Sequence, residues 1–156
     1  MGIINNVRTF LRQNKVFGLY LVLLAILNIA YVSIEIYKSK ISEPLLLKAE
    51  ITQLEFLRLE TLSTYAWYFE SAIIVLMFIS VFLICTKKYH NFLKEFIAIH
   101  LVYLVTFLLL GNALSWIFVA PVGNLTQQLV FPIILILGAL VYFITKINPN
   151  SLRVSH

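Results

Sequence analysis

Along this chain apolar residues run almost unbroken over four stretches, Val16 to Ile36, Tyr65 to Cys85, Phe96 to Val119 and Leu129 to Ile147, with short polar segments between them. Each stretch holds the roughly 20 residues that a helix needs to cross a hydrocarbon core about 30 Å thick. In hydrocarbon every backbone N–H and C=O must be bonded within its own segment, and none of the runs alternates with period two. The pattern therefore predicts an all-α integral membrane protein, with four transmembrane helices in an up-down bundle. The predicted organisation is one membrane domain, 1–156, with spans at 16–36, 65–85, 96–119 and 129–147. Connections at 37–64, 86–95 and 120–128 join them, and a tail follows from 148 to 156.

The connection 37–64 has a pattern of its own. From Pro44 onward it is rich in helix formers, and Pro44 after Ser42 suits a first helical turn, so a short separate helix is predicted there. Leu47, Ile51 and Leu54 share one face, which Arg58 continues, while Leu46, Phe56 and Leu59 point elsewhere. A helix apolar on several sides is normally covered, which makes Leu47, Ile51, Leu54 and Arg58 candidates for binding a partner.

Composition agrees with the membrane assignment, since 61% of residues are hydrophobic and 12% charged, too little polar surface for a soluble domain. The net charge of +5 comes from cations beside the spans, with no basic stripe interleaved with aromatics. Anionic lipid headgroups are the expected partner, and nucleic acid is not. Arg8, Arg12 and Lys15, then Lys87, Lys88 and Lys94, then Lys146 and Arg153 fall on one side of the bundle. The connection 37–64 carries Lys38, Lys40, Lys48 and Arg58, and the connection 120–128 carries no cation. Cationic loops stay on the cytoplasmic side, so both termini are expected inside. Tyr65, Trp67 and Tyr68 would mark the outer end of the second span and Trp116 that of the third. The Ile-, Asn- and Lys-rich usage points to a bacterial cytoplasmic membrane.

The first span is longer than a secretory h-region and no small-x-small site follows it, so it is expected to be retained. Asn6 stands where a myristoylation signal after Gly2 wants Ser or Thr. One cysteine, Cys85, allows no internal disulfide, and the sequon Asn124-Leu125-Thr126 lies in a loop too short to make it meaningful.

The candidate chemistry is the set of polar residues inside the spans. A carboxylate at the centre of an isolated helix costs on the order of 2.5–3.5 kcal/mol, less toward the interface. Glu70, about 7 Å below Tyr65 at 1.5 Å per residue, is expected to be shallow. Asn28, Tyr31 and Glu35 share a face of the first helix, and Ser63, Trp67 and Glu70 one of the second. Asn112, Ser115 and Trp116 come to similar depth from the third, and Asn124, Gln127 and Gln128 from the loop after it. Two readings follow. Glu35 and Glu70 either reach the headgroups or pair with Lys38, Lys40 or Arg58, the preferred one, or they line an outward polar cavity with Asn28, Asn112 and Ser115 that binds an ion. His100 has no second ligand at suitable spacing, so it is expected to pack rather than bind haem or metal. Gly111 and Ser115 form a small-xxx-small pair, and Gly138 is placed on an interior face with Phe131, Leu135, Tyr142 and Thr145, so Gly111, Ser115 and Gly138 are the expected helix-packing residues.

No phosphate loop, nucleophile elbow, zinc-helix motif or paired-cysteine motif occurs, and the chain has no Asp. An enzyme is therefore the least expected class, and no cofactor is called for. The expected function is association, as an accessory, regulatory or immunity-type subunit bound to another membrane protein or to itself as a homo-oligomer. The alternative is a small oligomeric transporter or channel that binds a cation or proton at Glu70 and Glu35.

Overall fold

The computed structural model describes residues 14–48, 50–86 and 92–147. They are helical throughout, without strands: α1 Lys15–Leu45, α2 Gln53–Cys85, α3 Leu93–Phe118, the short α4 Val122–Thr126, a single 3-10 turn Gln127–Leu129, and α5 Val130–Ile147. Four helical stretches are long and apolar enough to cross a membrane, the last combining α4, the 3-10 turn and most of α5. This is the architecture of a multi-pass membrane protein.

Each long helix buries one stripe. On α1 it is Phe17, Tyr20, Leu24, Asn28, Tyr31, Val32 and Glu35; on α2 it is Ala66, Ile73, Met77, Ser80 and Ile84. Spacings of three, four and seven keep each set on one side of its rod. α1 packs most extensively on α2, α2 also on α5, and α5 on α3. Large side chains close the circuit between α1 and α3. Phe17 meets Phe96 edge to face, Tyr20 meets His100, and the Lys40 ammonium stands over the Phe118 ring. These pairs put residue i of α1 level with about residue i + 79 of α3, so the two run parallel in constant register and Trp116 lies level with Tyr37.

The connection 37–64 differs from expectation. No separate helix starts at Pro44; α1 continues to Leu45 with Pro44 in its last turn, and α2 already begins at Gln53. In that turn Pro44 cannot donate to the carbonyl of Lys40 one turn back, and the helix ends one residue later. The start of α2 is fixed by a capping box in which Thr52 Oγ1 accepts from Glu55 N–H at 3.3 Å and Glu55 Oε2 accepts from Thr52 N–H at 3.0 Å. The two arms are tied by the Lys48–Glu55 ion pair and by Arg58, which donates to the Tyr37 hydroxyl at 2.5 Å. α1 and α2 thus form one helical hairpin whose tip stands beyond the other helices.

The connection 120–128 is also largely helical. Ser115 donates to the Ala120 carbonyl at 2.5 Å, and the turn passes through Val119 at φ 54°, a left-handed conformation that a β-branched residue adopts at a cost. Pro132 lies in the first turn of α5, where its missing N–H costs little.

Candidate functional site

The buried stripe of α1 carries polar groups at three levels, of which the first meets α2 and α3, the second α3 and the third α4. Nearest the chain termini, the hydroxyl of Tyr20 lies 2.6 Å from His100 Nε2 and 2.8 Å from Met77 Sδ. His100 Nδ1 is 2.8 Å from the Phe96 carbonyl. A carbonyl can only accept, so Nδ1 carries a proton, and in the neutral ring Nε2 is left to accept from Tyr20. Both ring nitrogens of this buried histidine are engaged within the protein.

One turn farther along, the Leu24 carbonyl collects two side-chain donors, Asn28 Nδ2 at 2.9 Å and the Tyr103 hydroxyl at 3.3 Å. Asn28 is completely buried, and its Oδ1 has no hydrogen-bond partner.

The third level lies toward the hairpin. Tyr31 donates to the Asn124 carbonyl at 3.0 Å. Glu35 is buried; its Oε1 takes the Lys38 ammonium at 2.5 Å, while Oε2 has no partner. Lys38 is one of the three cations expected as a carboxylate partner, whereas Lys40 lies over Phe118 and Arg58 is bound to Tyr37. Glu70 is half-buried. The contacts Tyr20–Met77 and Tyr37–Arg58 fix the antiparallel register of α1 and α2 and bring Glu70 level with Ile26–Leu27. That is roughly 13 Å along the axis from Glu35. Helical side chains lean toward their own N-terminus, so on antiparallel helices the two carboxyl groups lean toward each other, with Tyr31 between their levels. Gln128 follows Asn124 by one turn; it is 1% exposed, and neither its Nε2 nor its Oε1 has a partner.

Other expected residues fall elsewhere. Asn112 is exposed on α3 and bonds back to the Leu108 carbonyl at 2.7 Å, so it does not enter the shared layer. Ser115 is used to hold the Ala120 turn. Gly111 is buried, and a Cβ there would stand 3.0 Å from the Thr126 side chain, so its small size admits α4. Gly138 is exposed with nothing within 4 Å of an added Cβ. The buried face of this rod is Leu129, Pro132, Ile136 and Ala139, turned away from the face expected around Gly138.

Two apolar furrows open between the spans. One of about 190 Å³ lies between α1 and α2 beside Tyr20 and Ser80, and one of about 340 Å³ lies between α1 and α3 beside Val32 and Phe107. Neither is lined by Glu35 or Glu70. A third cleft of about 320 Å³ lies within the hairpin, lined among others by Pro44, Leu54 and Arg58. Leu47, Ile51 and Leu54 are exposed around the tip, Leu47 at 90% and Leu54 at 77%, and Arg58 is exposed beside them.

Cations of the expected inner side at Arg8, Arg12, Lys87, Lys88 and Arg153 lie outside the described residues, as do His90 and His156. Tyr103 was placed from sequence on one face of the third helix with His100, Phe107 and Gly111, whereas Tyr20, which organises the first level, was not singled out. The signal available was the spacing of Tyr20, Leu24, Asn28, Tyr31 and Glu35, which extends the recognised polar stripe by two turns. No family model matches the chain, and neither a curated protein nor a solved structure matches it.

Proposed function

We propose that this protein works by association, as a membrane-embedded subunit that engages the extramembrane part of another membrane protein through the tip of its α1–α2 hairpin. The observation that carries this reading is the height of the tip. Taking Trp116 and the level Tyr37 as the edge of the hydrocarbon, Leu46 stands roughly 14 Å beyond it. A headgroup layer adds only about 5–8 Å on each side. Leu46, Leu47 and Ile51 are thus exposed beyond the headgroup layer, and Leu54, about 6 Å out by the same count, is exposed at its outer part, on a hairpin held in shape by a cap and an ion pair. Apolar side chains concentrated at such a place are an expected contact surface for protein.

The charge distribution supports both termini inside and the tip outside, in a cytoplasmic membrane. The two furrows between spans are lined mainly by apolar side chains and by neither Glu35 nor Glu70, which favours association over transport. In membranes of the source cell, Leu47→Glu with Leu54→Glu should abolish co-purification of the partner in mild detergent while the protein still inserts. Unchanged co-purification would contradict the reading. Self-association that survives the same pair of substitutions would place the homo-oligomer contact elsewhere.

A further inference from the structure

We propose that the cleft within the α1–α2 hairpin binds the headgroup phosphate of one anionic phospholipid, held by Lys40, Lys48 and Arg58. The proposal uses the same hydrocarbon edge as the association reading but needs no protein partner, because it concerns the base of the hairpin and not its tip. The cleft, of about 320 Å³, brings side chains of both arms to one place. Residues 35–60 carry four cations, Lys38, Lys40, Lys48 and Arg58, and five carboxylates, Glu35, Glu43, Glu50, Glu55 and Glu60. Three of those cations line the cleft, and of the carboxylates only Glu55 does. The segment is acidic by one charge, yet its cleft is basic by two. Helical spacing explains the sorting: Lys40, Ile41, Pro44 and Leu45 share one side of α1 with Glu43 off it, and Leu54, Glu55 and Arg58 share one side of α2 with Glu60 turned away. Lys38 is paired with Glu35 outside the cleft.

The local partners leave two of the three cations unneutralised. Lys48 is paired with Glu55. Arg58 donates to a neutral group, the Tyr37 hydroxyl, and the Lys40 ammonium stands 4.9 Å from the centre of the Phe118 ring. Among the described residues neither is paired with a carboxylate, and both are exposed. α3 brings no charged residue between Glu95 and Phe118, and the α4–α5 rod none before Lys146, so the matching anion is external. Height selects which anion. Arg58 is level with the hydrocarbon edge at Tyr37 and Trp116, with Lys40 about 4–5 Å and Leu54 about 6 Å beyond it, inside the headgroup layer. Guanidinium and ammonium groups at that depth meet lipid phosphate oxygens in charge-assisted hydrogen bonds. The rest of the lining, Ile41, Pro44, Leu45 and Leu54, is apolar, which suits the glycerol ester and the start of an acyl chain better than a free phosphate or an acidic peptide.

The test is native mass spectrometry of the full chain in mild detergent, with phosphatidylglycerol or phosphatidylcholine of identical acyl chains added. One phosphatidylglycerol should bind per chain in preference to phosphatidylcholine. Lys40→Gln and Arg58→Gln should each weaken that adduct by about fivefold, the effect of one cation beside an anionic headgroup. Lys15→Gln, which removes the same charge at the opposite end of α1, should leave it unchanged. Tyr37→Phe, which removes the hydrogen bond to Arg58 and keeps its charge, should retain it as well. Equal binding of the two lipids, an equal loss in Lys15→Gln, or displacement of the lipid by excess inorganic phosphate would overturn the proposal. Loss of a co-purifying protein in both charge variants, with no preference for phosphatidylglycerol, would assign the cleft to an acidic protein segment and overturn it equally. If one charge variant does not fold, unchanged lipid binding in the other overturns the proposal by itself.

Discussion

Tyr20 has one proton to donate, and His100 Nε2 is the stronger of the two acceptors beside it, so the pair satisfies a histidine that would otherwise be buried at a loss. Tyr20→Phe should destabilise the bundle by about 1–3 kcal/mol, because it strands Nε2 without a partner. His100→Leu should cost a similar amount, and the double variant less than the sum, measured as a double-mutant cycle of detergent-solubilised unfolding. Purely additive losses would show that the two groups do not interact. Val119 carries a different strain, a β-branched residue in the left-handed region, and Val119→Gly should stabilise by roughly 1 kcal/mol, read as a higher unfolding midpoint. At this scale the sequence was legible where one helix decides the matter: the spacing of Asn28, Tyr31 and Glu35 was enough to place them on one face. The pairing of Tyr20 with His100, eighty positions apart, depends on which faces meet, and a single helix does not contain that information. Asn112 has suitable depth but the wrong side of α3 for the same reason.

At the scale of elements, the hairpin is set by local chemistry at the α2 N-terminus. Lys48 and the Thr52 backbone and hydroxyl hold the Glu55 carboxyl down to about 2. A depressed carboxylate contributes order that is fully present above its ordinary value and disappears as pH falls through the depressed one. Pepsin cleavage in the 46–52 turn should therefore be slow near pH 4 and accelerate toward pH 2, and Glu55→Gln should be cut readily at both. A wild-type rate that does not change over that interval, after correction for pepsin's own activity, would contradict the assignment. Thr52-x-x-Glu55 was legible as a capping box and would have placed the start of α2 correctly; the apparent first-turn proline at Pro44 was the competing signal, and tertiary packing of the two arms outweighed it. The face of α5 was not legible, because a nearly uniformly apolar helix marks no direction, and Gly138 was assigned inward on spacing alone.

At the scale of the whole molecule, the four spans are fixed by solvent: length and hydropathy require helices, and the helices are there. What solvent does not fix is the partner, since lipid-facing and protein-facing apolar surfaces have the same composition. The proposed association rests on the height of the hairpin tip. Orientation is checked with Cys85→Ala as the background, because Cys85 is exposed: a cysteine at Glu50 should react with an impermeant maleimide added outside intact cells, and one at Asn91 should not. The most direct measurement of the central claim is photo-crosslinking in intact native membranes with a benzophenone amino acid at Leu47, compared with the same group at the exposed Phe82 within a span. The account predicts one discrete protein adduct from position 47, lost when Leu54→Glu is added, and no such adduct from position 82. Lipid adducts from both positions, or a position 47 adduct that persists with Leu54→Glu, would contradict it.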